Sequence, residues 1–254
     1  MSTRTVTTDP IIAADIFGEP AVRHRLGLIA LSTDITIEAD FHRLLPDGAM
    51  FHTARVIQTN PTTIENLRTM GPQLAAAAAS LVAGHPLDAI AYGCTSATVA
   101  MGYDEVAAQI GAGRPGLPVT TPITAALKAF ELFKVRKISM LTPYIDNVNQ
   151  PMLHFLAANG ITVLNLAAFG LESDVDMCRV SPDAIHCAAI ESCAEEADAL
   201  FISCTALRGV EVVEALEADL VRPVFSSNQC LFWDVLRLSG YADTITGYGG
   251  LLRV

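Results

Sequence analysis

The chain has 254 residues, of which 51% are hydrophobic and 17% charged, and 16 Lys and Arg against 27 Asp and Glu give a formal net charge of −11. This composition excludes global disorder, and an acidic chain without a basic run makes nucleic acid a poor partner. No apolar run reaches the roughly 18 residues of a membrane helix, so we expect no membrane insertion. A basic region followed by an apolar run is absent from the start of the sequence, and we therefore expect a cytoplasmic protein.

Short apolar segments alternate along the chain with longer stretches that have helical spacing. After an N-terminal arm expected over residues 1–22, strands are predicted at residues 26–30, 89–92, 138–141 and 199–203. This alternation is typical of βαβ units around a parallel sheet, which predicts an α/β fold.

The same order of signals occurs twice. The segment DAIAYGCTSAT around Cys94 resembles the segment DALFISCTALR around Cys204, and Leu28 precedes Cys94 by as many positions as Ile138 precedes Cys204. Any doubly wound protein repeats strand and helix patterns, but a repeat kept in register favours duplication. We predict one lobe over residues 23–135, to which a C-terminal segment can return, and a second over residues 136–254, with a cleft between them.

Two cysteines stand directly after apolar strands, and each is followed by Thr. Ligands of open parallel sheets bind at the carboxyl ends of strands, where a following helix favours anions and lowers the pKa of a thiol. One buried cysteine alone would be an inert packing residue. Two at matching strand ends, Cys94 and Cys204, favour a base facing an acid, or a thiolate that adds to a double bond while the other thiol supplies a proton.

The other cysteines, Cys178, Cys187, Cys193 and Cys230, show no zinc or disulfide spacing, so we predict no metal and interpret them as packing residues. Polar residues near the strand ends each leave more than one interpretation open. Hydroxyls that follow Cys94 and Cys204 either bind a substrate carboxylate or cap helices. Asp34 either activates Cys94, pairs with a cationic group or caps a helix. Tyr144 either stabilises an oxyanion or packs at an edge, and the SSNQ segment at 226–229 either lines the cleft or caps a helix.

Six segments together resemble one enzyme family: RLGLIALSTD, YGCTSAT, LTPYIDNVN, LFISCTALR, VFSSNQ and FWDVLRLSGY. They resemble the maleate cis-trans isomerase and arylmalonate decarboxylase branch of the aspartate/glutamate/hydantoin racemase superfamily, over nearly the whole chain after Arg23. Within that branch, the chain most resembles maleate isomerase-like proteins of ectoine utilization. The resemblance implies two pseudo-symmetric Rossmann-like lobes, each with a parallel sheet flanked by helices, an active site between them and no cofactor.

The resemblance also implies roles for individual residues. Cys94 and Cys204 match the two catalytic cysteines, and the presence of both argues against the decarboxylases, which have glycine at the first position. Where maleate isomerases have two asparagines, this chain has Asp34 and Asp174. Unless protonated, these acids would repel dianionic maleate, and they would suit a substrate with an ammonium or amide group. The full predicted substrate-binding set is Ser32, Asp34, Thr95, Ser96, Tyr144, Asp174, Thr205 and Ala206.

These observations predict a cofactor-independent two-cysteine isomerase that acts on a small carboxylate, in the manner of maleate isomerase. The resemblance implies a role in ectoine degradation, and the high apolar content indicates a homodimer or higher homo-oligomer. An amino-acid racemase that transfers a proton between two thiols uses the same residues, and remains the main alternative. An arylmalonate-type decarboxylase and a non-catalytic small-molecule binding protein are further alternatives.

Overall fold

The computed structural model describes residues 22–254, so the predicted N-terminal arm lies outside the described residues except for Val22. The strands form two separate four-stranded parallel sheets. The first contains β1 (His24–Leu31), β2 (Ala49–Val56), β3 (Ala89–Tyr92) and β4 (Val119–Thr120), in the order β2-β1-β3-β4. The second contains β5 (Lys137–Tyr144), β6 (Thr162–Leu171), β7 (Ala199–Ile202) and β8 (Val224–Ser226), in the order β6-β5-β7-β8.

Helices connect the strands in both halves. Those of the first half are α1 (Ile37–Leu44), α2 (Ile64–Arg68), α3 (Leu74–Ser80), α4 (Thr95–Met101), α5 (Tyr103–Gly113) and α6 (Pro122–Leu132). Those of the second are α7 (Asp146–Ala158), α8 (Asp174–Met177), α9 (Pro182–Ser192), α10 (Val213–Leu220) and α11 (Ser227–Leu238). Within residues 22–254, no helix has the length and apolar character needed to cross a membrane.

Each of the four strands predicted from apolar runs is present, and they are the central strands of the two sheets. Strands β3 and β7 are buried at every position. Such uninterrupted apolar sequence is expected for parallel strands, because helices cover both faces of the sheet. The two-lobed α/β fold predicted from the repeat is confirmed.

The register of the repeat differs from its prediction. Three residues before the first strand-end cysteine, Ala91 of β3 lies opposite Leu28 of β1. Three residues before the second cysteine, Phe201 of β7 lies opposite Met140 of β5, and not opposite Ile138. The equal spacing in the sequence therefore joins positions that are two residues out of register. Loops and helices of slightly different length connect the strands of the two halves, and spacing along the chain cannot account for them.

The strand order determines where a ligand can bind. In each sheet, the second strand lies on one side of the first and the third strand on the other, which opens a crevice between their carboxyl ends. In the first sheet this crevice lies between β1 and β3, and in the second between β5 and β7. The strand-end cysteines, Cys94 and Cys204, lie two positions after the last residues of β3 and β7, at these two crevices.

The two halves exchange a helix. Helix α6 follows the first sheet in the chain, but its Phe130 contacts Phe201 and Phe225 of the second sheet, with ring centroids 5.5 and 5.3 Å apart. Helix α11 follows the second sheet but packs on β3 and β4, and its Phe232 lies 5.0 Å from Phe41 of α1. One hydrophobic cluster consequently runs through both halves. Each predicted lobe contains one complete sheet, whereas α6 and α11 each pack on the sheet of the other half.

Replacing Phe130 with Ala tests this exchange. The truncation leaves a cavity between α6 and the second sheet, and we expect the free energy of unfolding to fall by about 3–5 kcal/mol. Urea denaturation measures this loss. Leu132→Ala is the control, because Leu132 lies on the same helix but is 50% exposed, and it should cost no more than about 0.5 kcal/mol. Equal losses in the two variants would contradict an anchoring role for Phe130.

Candidate active site

Cys94 occupies the position before the first residue of α4 and caps that helix. Its Sγ accepts a hydrogen bond from the Ala97 N–H at 3.4 Å and lies 3.8 Å from the Ser96 Oγ. Ser, Thr, Asp and Asn are the usual residues at such a cap, so a thiol here replaces a common hydroxyl. The side chain is nearly inaccessible, with 3% of Cys94 exposed.

Cys204 holds the equivalent place in the second half, but with a strained backbone. Its φ is +120°, in the region that L-residues rarely adopt. Two contacts hold this conformation: the Cys204 N–H donates to the Ser227 Oγ at 3.0 Å, and the Ala206 N–H donates to the Cys204 Sγ at 3.4 Å. Strain of this kind is commonly retained at functional sites.

Hydrogen bonds between the halves join the two cysteine loops. The Ser227 Oγ lies 3.0 Å from the Thr95 Oγ1, so a single hydroxyl contacts both loops. The Thr205 Oγ1 donates to the carbonyl of Gly93 at 3.3 Å. The residues that flank each cysteine therefore contact the residues that flank the other, and both thiols belong to one buried cluster.

Tyr144 lies at the end of β5 and is buried among these groups. The Cys204 thiol and the Ser96 hydroxyl, one group from each half, both affect the pKa of its phenol. Burial raises the pKa of Tyr144 well above its ordinary value, so the phenol is a neutral hydrogen-bond donor. That donor lowers the pKa of the Cys204 thiol, against the larger effect of burial.

Asp34 and Asp174 bring two carboxyl groups to the same cluster, one from each half. Asp34 follows β1, and its Oδ1 accepts from the backbone N–H groups of Thr36 and Ile37 at 2.8 and 3.0 Å. Asp174 begins α8 and accepts a 2.5 Å hydrogen bond from the Thr33 hydroxyl. Burial raises the pKa of both carboxyls, that of Asp174 to about 6, and the charge of Asp34 contributes to the shift at Asp174.

The expectation that a helix start would lower the thiol pKa values is wrong. Burial raises the pKa of the Cys94 thiol to about 12, and the carboxylates of Asp174 and Asp34 raise it further. The same causes raise the pKa of Cys204 well above its ordinary value. The Ala97 N–H and Ser96 hydroxyl pull the pKa of Cys94 down, but loss of water around the thiol outweighs them. Both thiols are therefore protonated at rest.

Two residues of the predicted substrate-binding set contact the cluster differently from the rest. Ser32 is exposed, and its hydroxyl accepts from the Gln58 N–H at 3.0 Å instead of contacting a thiol. Ala206 contributes only backbone groups, its N–H to Cys204 and its carbonyl to the Thr36 hydroxyl at 2.9 Å. The structure brings the other members of the set together around the two cysteines.

Three residues of the cluster were absent from the predicted set. Ser227 belongs to the SSNQ segment, which was expected to line the cleft or cap a helix, and the segment does both, because Ser226 caps α11. Thr33 lies between two predicted residues and donates to Asp174. Cys178, interpreted as a packing residue, is buried with its Sγ 4.0 Å from the Thr33 carbonyl, and burial raises its pKa to about 11. Nothing in the sequence around Cys178 indicates this position.

Two α/β halves of equal topology, each of which brings a strand-end cysteine to a shared cluster, define a two-thiol protein of the racemase-like fold. A family model of arylmalonate decarboxylase matches residues 31–252, and the chain belongs to that family. The resemblance to this branch of the superfamily, recognised in the sequence, is thereby confirmed.

Individual relatives carry two different names. Maleate isomerase of Nocardia farcinica is 25% identical over 241 residues, which cover 90% of this chain and 95% of that protein. Arylmalonate decarboxylase of Bordetella bronchiseptica is 33% identical over 139 residues, 54% of this chain, and the match spans 58% of the decarboxylase. Among solved structures, a variant of the Nocardia farcinica maleate cis-trans isomerase with a covalently bound succinylcysteine intermediate superposes with a TM-score of 0.83. It is 22% identical, and the match covers 91% of this chain and 98% of that one.

The strain at Cys204 predicts that glycine stabilises the fold at this position. Glycine adopts φ near +120° at little cost, whereas alanine keeps the strain. We expect Cys204→Gly to have a free energy of unfolding about 1 kcal/mol higher than Cys204→Ala, measured by urea denaturation. The two variants lack the thiol equally, so the comparison isolates the backbone. A less stable glycine variant would contradict strain at Cys204.

The raised pKa of Asp174 predicts that the free energy of unfolding depends on pH. Its pKa is about 6 in the folded protein against an ordinary value of 3.8, so the folded state holds this proton more tightly than the unfolded state. The favourable contribution is complete below pH 3.8 and is lost as the pH rises through 6. Relative to wild type, Asp174→Asn should gain about 2 kcal/mol of stability between pH 4 and pH 8. Asp176→Asn, which removes an exposed carboxyl of α8, is the control and should follow the wild-type profile. If the free energies of unfolding of Asp174→Asn and wild type differed by the same amount at every pH from 4 to 8, the raised pKa of Asp174 would be contradicted.

Proposed function

We propose that the protein is a cofactor-independent two-cysteine isomerase that acts on a small carboxylate in the manner of maleate cis-trans isomerase. The observation that carries this proposal is the pair formed by Cys94 and Cys204, at equivalent strand ends of the two halves and within one hydrogen-bonded cluster. A packing role does not account for two thiols at the switch points of two sheets, because any small apolar side chain fills such space.

The proposed reaction needs one thiolate and one thiol. The Cys94 thiolate adds to one alkene carbon and forms a C–S bond, while the electron pair of the double bond takes the proton of the Cys204 thiol at the other carbon. The former double bond is then single and rotates. The Cys204 thiolate removes a proton from the carbon that was protonated, the double bond reforms, and the C–S bond breaks to restore the Cys94 thiolate. The succinylcysteine named for the Nocardia farcinica isomerase is an adduct of this kind.

The surroundings of each thiol support these roles. The Ala97 N–H and the Ser96 hydroxyl stabilise negative charge on the Cys94 Sγ. The Tyr144 phenol lies beside Cys204 and can keep a hydrogen bond to its sulfur as Cys204 alternates between thiol and thiolate. Since both thiols are protonated at rest, one proton leaves the pair before the first turnover.

A racemase is the second candidate function, and the two acids favour it. In that reaction one thiolate removes the α-proton from one face of an amino acid, and the other thiol donates a proton to the opposite face. Asp34 and Asp174 can pair with the ammonium group of such a substrate, as two amides cannot. Ectoine degradation, a cytoplasmic location and a homodimer remain predictions from the sequence.

Proton NMR in deuterated buffer tests the proposal and separates the two reactions. Maleate and a panel of α-amino acids are each incubated with wild type, Cys94→Ser and Cys204→Ser. We expect turnover of at least one compound by wild type and a loss of about 10³-fold or more in each variant, because the two thiols act as a unit. Cys187→Ser, which alters an exposed thiol, is the control.

The product identifies the reaction. Formation of fumarate from maleate establishes a cis-trans isomerase, and exchange of an α-proton for deuterium establishes a racemase. Turnover that survives in both cysteine variants would falsify the two-thiol mechanism, and silence across the whole panel would contradict it in favour of a binding protein.

A further inference from the structure

One buried polar atom in the cluster has no role in the two-thiol reaction. Asp34 is 0% exposed, and its Oδ1 is satisfied by two backbone N–H groups. Its Oδ2 is buried and accepts no hydrogen bond. The Thr205 hydroxyl lies near this carboxyl and lowers its pKa, but it donates to the Gly93 carbonyl. A buried carboxylate oxygen without a donor is costly. A helix cap needs only the first oxygen, so capping does not explain the second.

A second acid faces the same place. The hydroxyl of Thr33, the residue before Asp34, donates to the Asp174 Oδ2 at 2.5 Å, which places the two acids beside each other. The charges of both carboxylates also raise the pKa of both catalytic thiols. Across residues 22–254, no Lys, Arg or His side chain donates to either carboxyl. Arg55 approaches nearest, but it donates to the backbone carbonyls of Leu31 and Asp34 and to the Glu38 carboxylate.

From this geometry we propose that Asp34 and Asp174 form a subsite for the ammonium group of a small amino-carboxylate substrate, beside the two thiols. The inference rests on the proposed two-thiol function and specifies its substrate class. An ammonium group carries three N–H donors, so it can satisfy the Asp34 Oδ2 and contact Asp174 at the same time. It also places a positive charge in direct contact with both acids, whereas Arg55 acts on Asp34 through its charge alone and donates to neither carboxyl.

The subsite would also prepare the chemistry. Because both carboxylates raise the thiol pKa values, a bound ammonium group that neutralises them makes a thiolate easier to form. A dianion without an ammonium group has the opposite effect, since its charge adds to that of the acids. The substrate with the correct charge thus promotes formation of the nucleophile or base that acts on it.

Thiol labelling with reagents of different charge tests the subsite without knowledge of the substrate. Three methanethiosulfonates with the same reacting group are compared: the 2-aminoethyl, methyl and 2-sulfonatoethyl compounds, which are cationic, neutral and anionic. Labelling of Cys94 and Cys204 at pH 8 is followed by mass spectrometry until the neutral reagent has modified both. The rate for exposed Cys187 in the same sample corrects for the intrinsic reactivity of each reagent.

We expect the corrected preference for the cationic over the neutral reagent to be about tenfold at one or both catalytic thiols, as local charge in a cleft produces. Asp34→Asn and Asp174→Asn should each reduce this preference several-fold. Asp176→Asn should leave it unchanged, because Asp176 is exposed and paired with Arg179. The wild-type ratio is informative even if one Asn variant fails to fold.

The proposal would be overturned if the ratio of cationic to neutral labelling rates at Cys94 and Cys204 were the same as at Cys187, because the acids would then attract no cation. Faster labelling by the anionic reagent would also overturn it, because the acids would then be neutral and accept an anion. The labelling ratio does not depend on turnover. Dispensable cysteines together with a cationic preference would overturn the two-thiol reaction but not the subsite, whereas essential cysteines without that preference would overturn the subsite alone.

Discussion

The hydroxyl of Ser227 holds the two cysteine loops together, and the arrangement of the whole site depends on this contact. It accepts from the Cys204 N–H and contacts the Thr95 hydroxyl across the boundary between the halves. Ser227 can do so because it begins α11, the helix of the second half that packs on the first sheet. The exchange of α6 and α11 is therefore more than a packing detail, since it carries a residue of one half to the cysteine of the other.

This close arrangement removes its polar groups from water, which costs free energy. Two thiols, a phenol and two carboxyls are buried together, and burial is the largest cause of each pKa shift among them. All five shifts favour the neutral form. The cluster is consequently least stable when its groups carry the charges that catalysis needs, and a ligand of suitable charge has the most to contribute.

The sequence predicted the layers of the fold and the two cysteines well, because both depend on local patterns. Buried parallel strands are continuous apolar runs, and a polar residue directly after such a run lies at the ligand-binding edge of the sheet. The exchange of α6 and α11 is not visible in the sequence, since an amphipathic helix shows that it packs but not on which sheet. The thiol pKa values were mispredicted for a related reason, because the packing that removes water from Cys94 comes from both halves. Cys178 was missed because its neighbours are distant in the chain.

The loops after β2 and β6 contact each other across the two halves beside the site. Cys94 and Cys204 are 3% and 6% exposed, so the surrounding loops cover both thiols. The Asn60 side chain accepts from the Asp174 N–H at 3.2 Å, and the Thr62 N–H donates to the Glu172 carbonyl at 2.8 Å. These contacts close the site directly beside Asp174. Asp174, which would recognise a cation in the proposed subsite, therefore lies directly beside the contact between these two loops, and the same contact would exclude water from a ligand bound there.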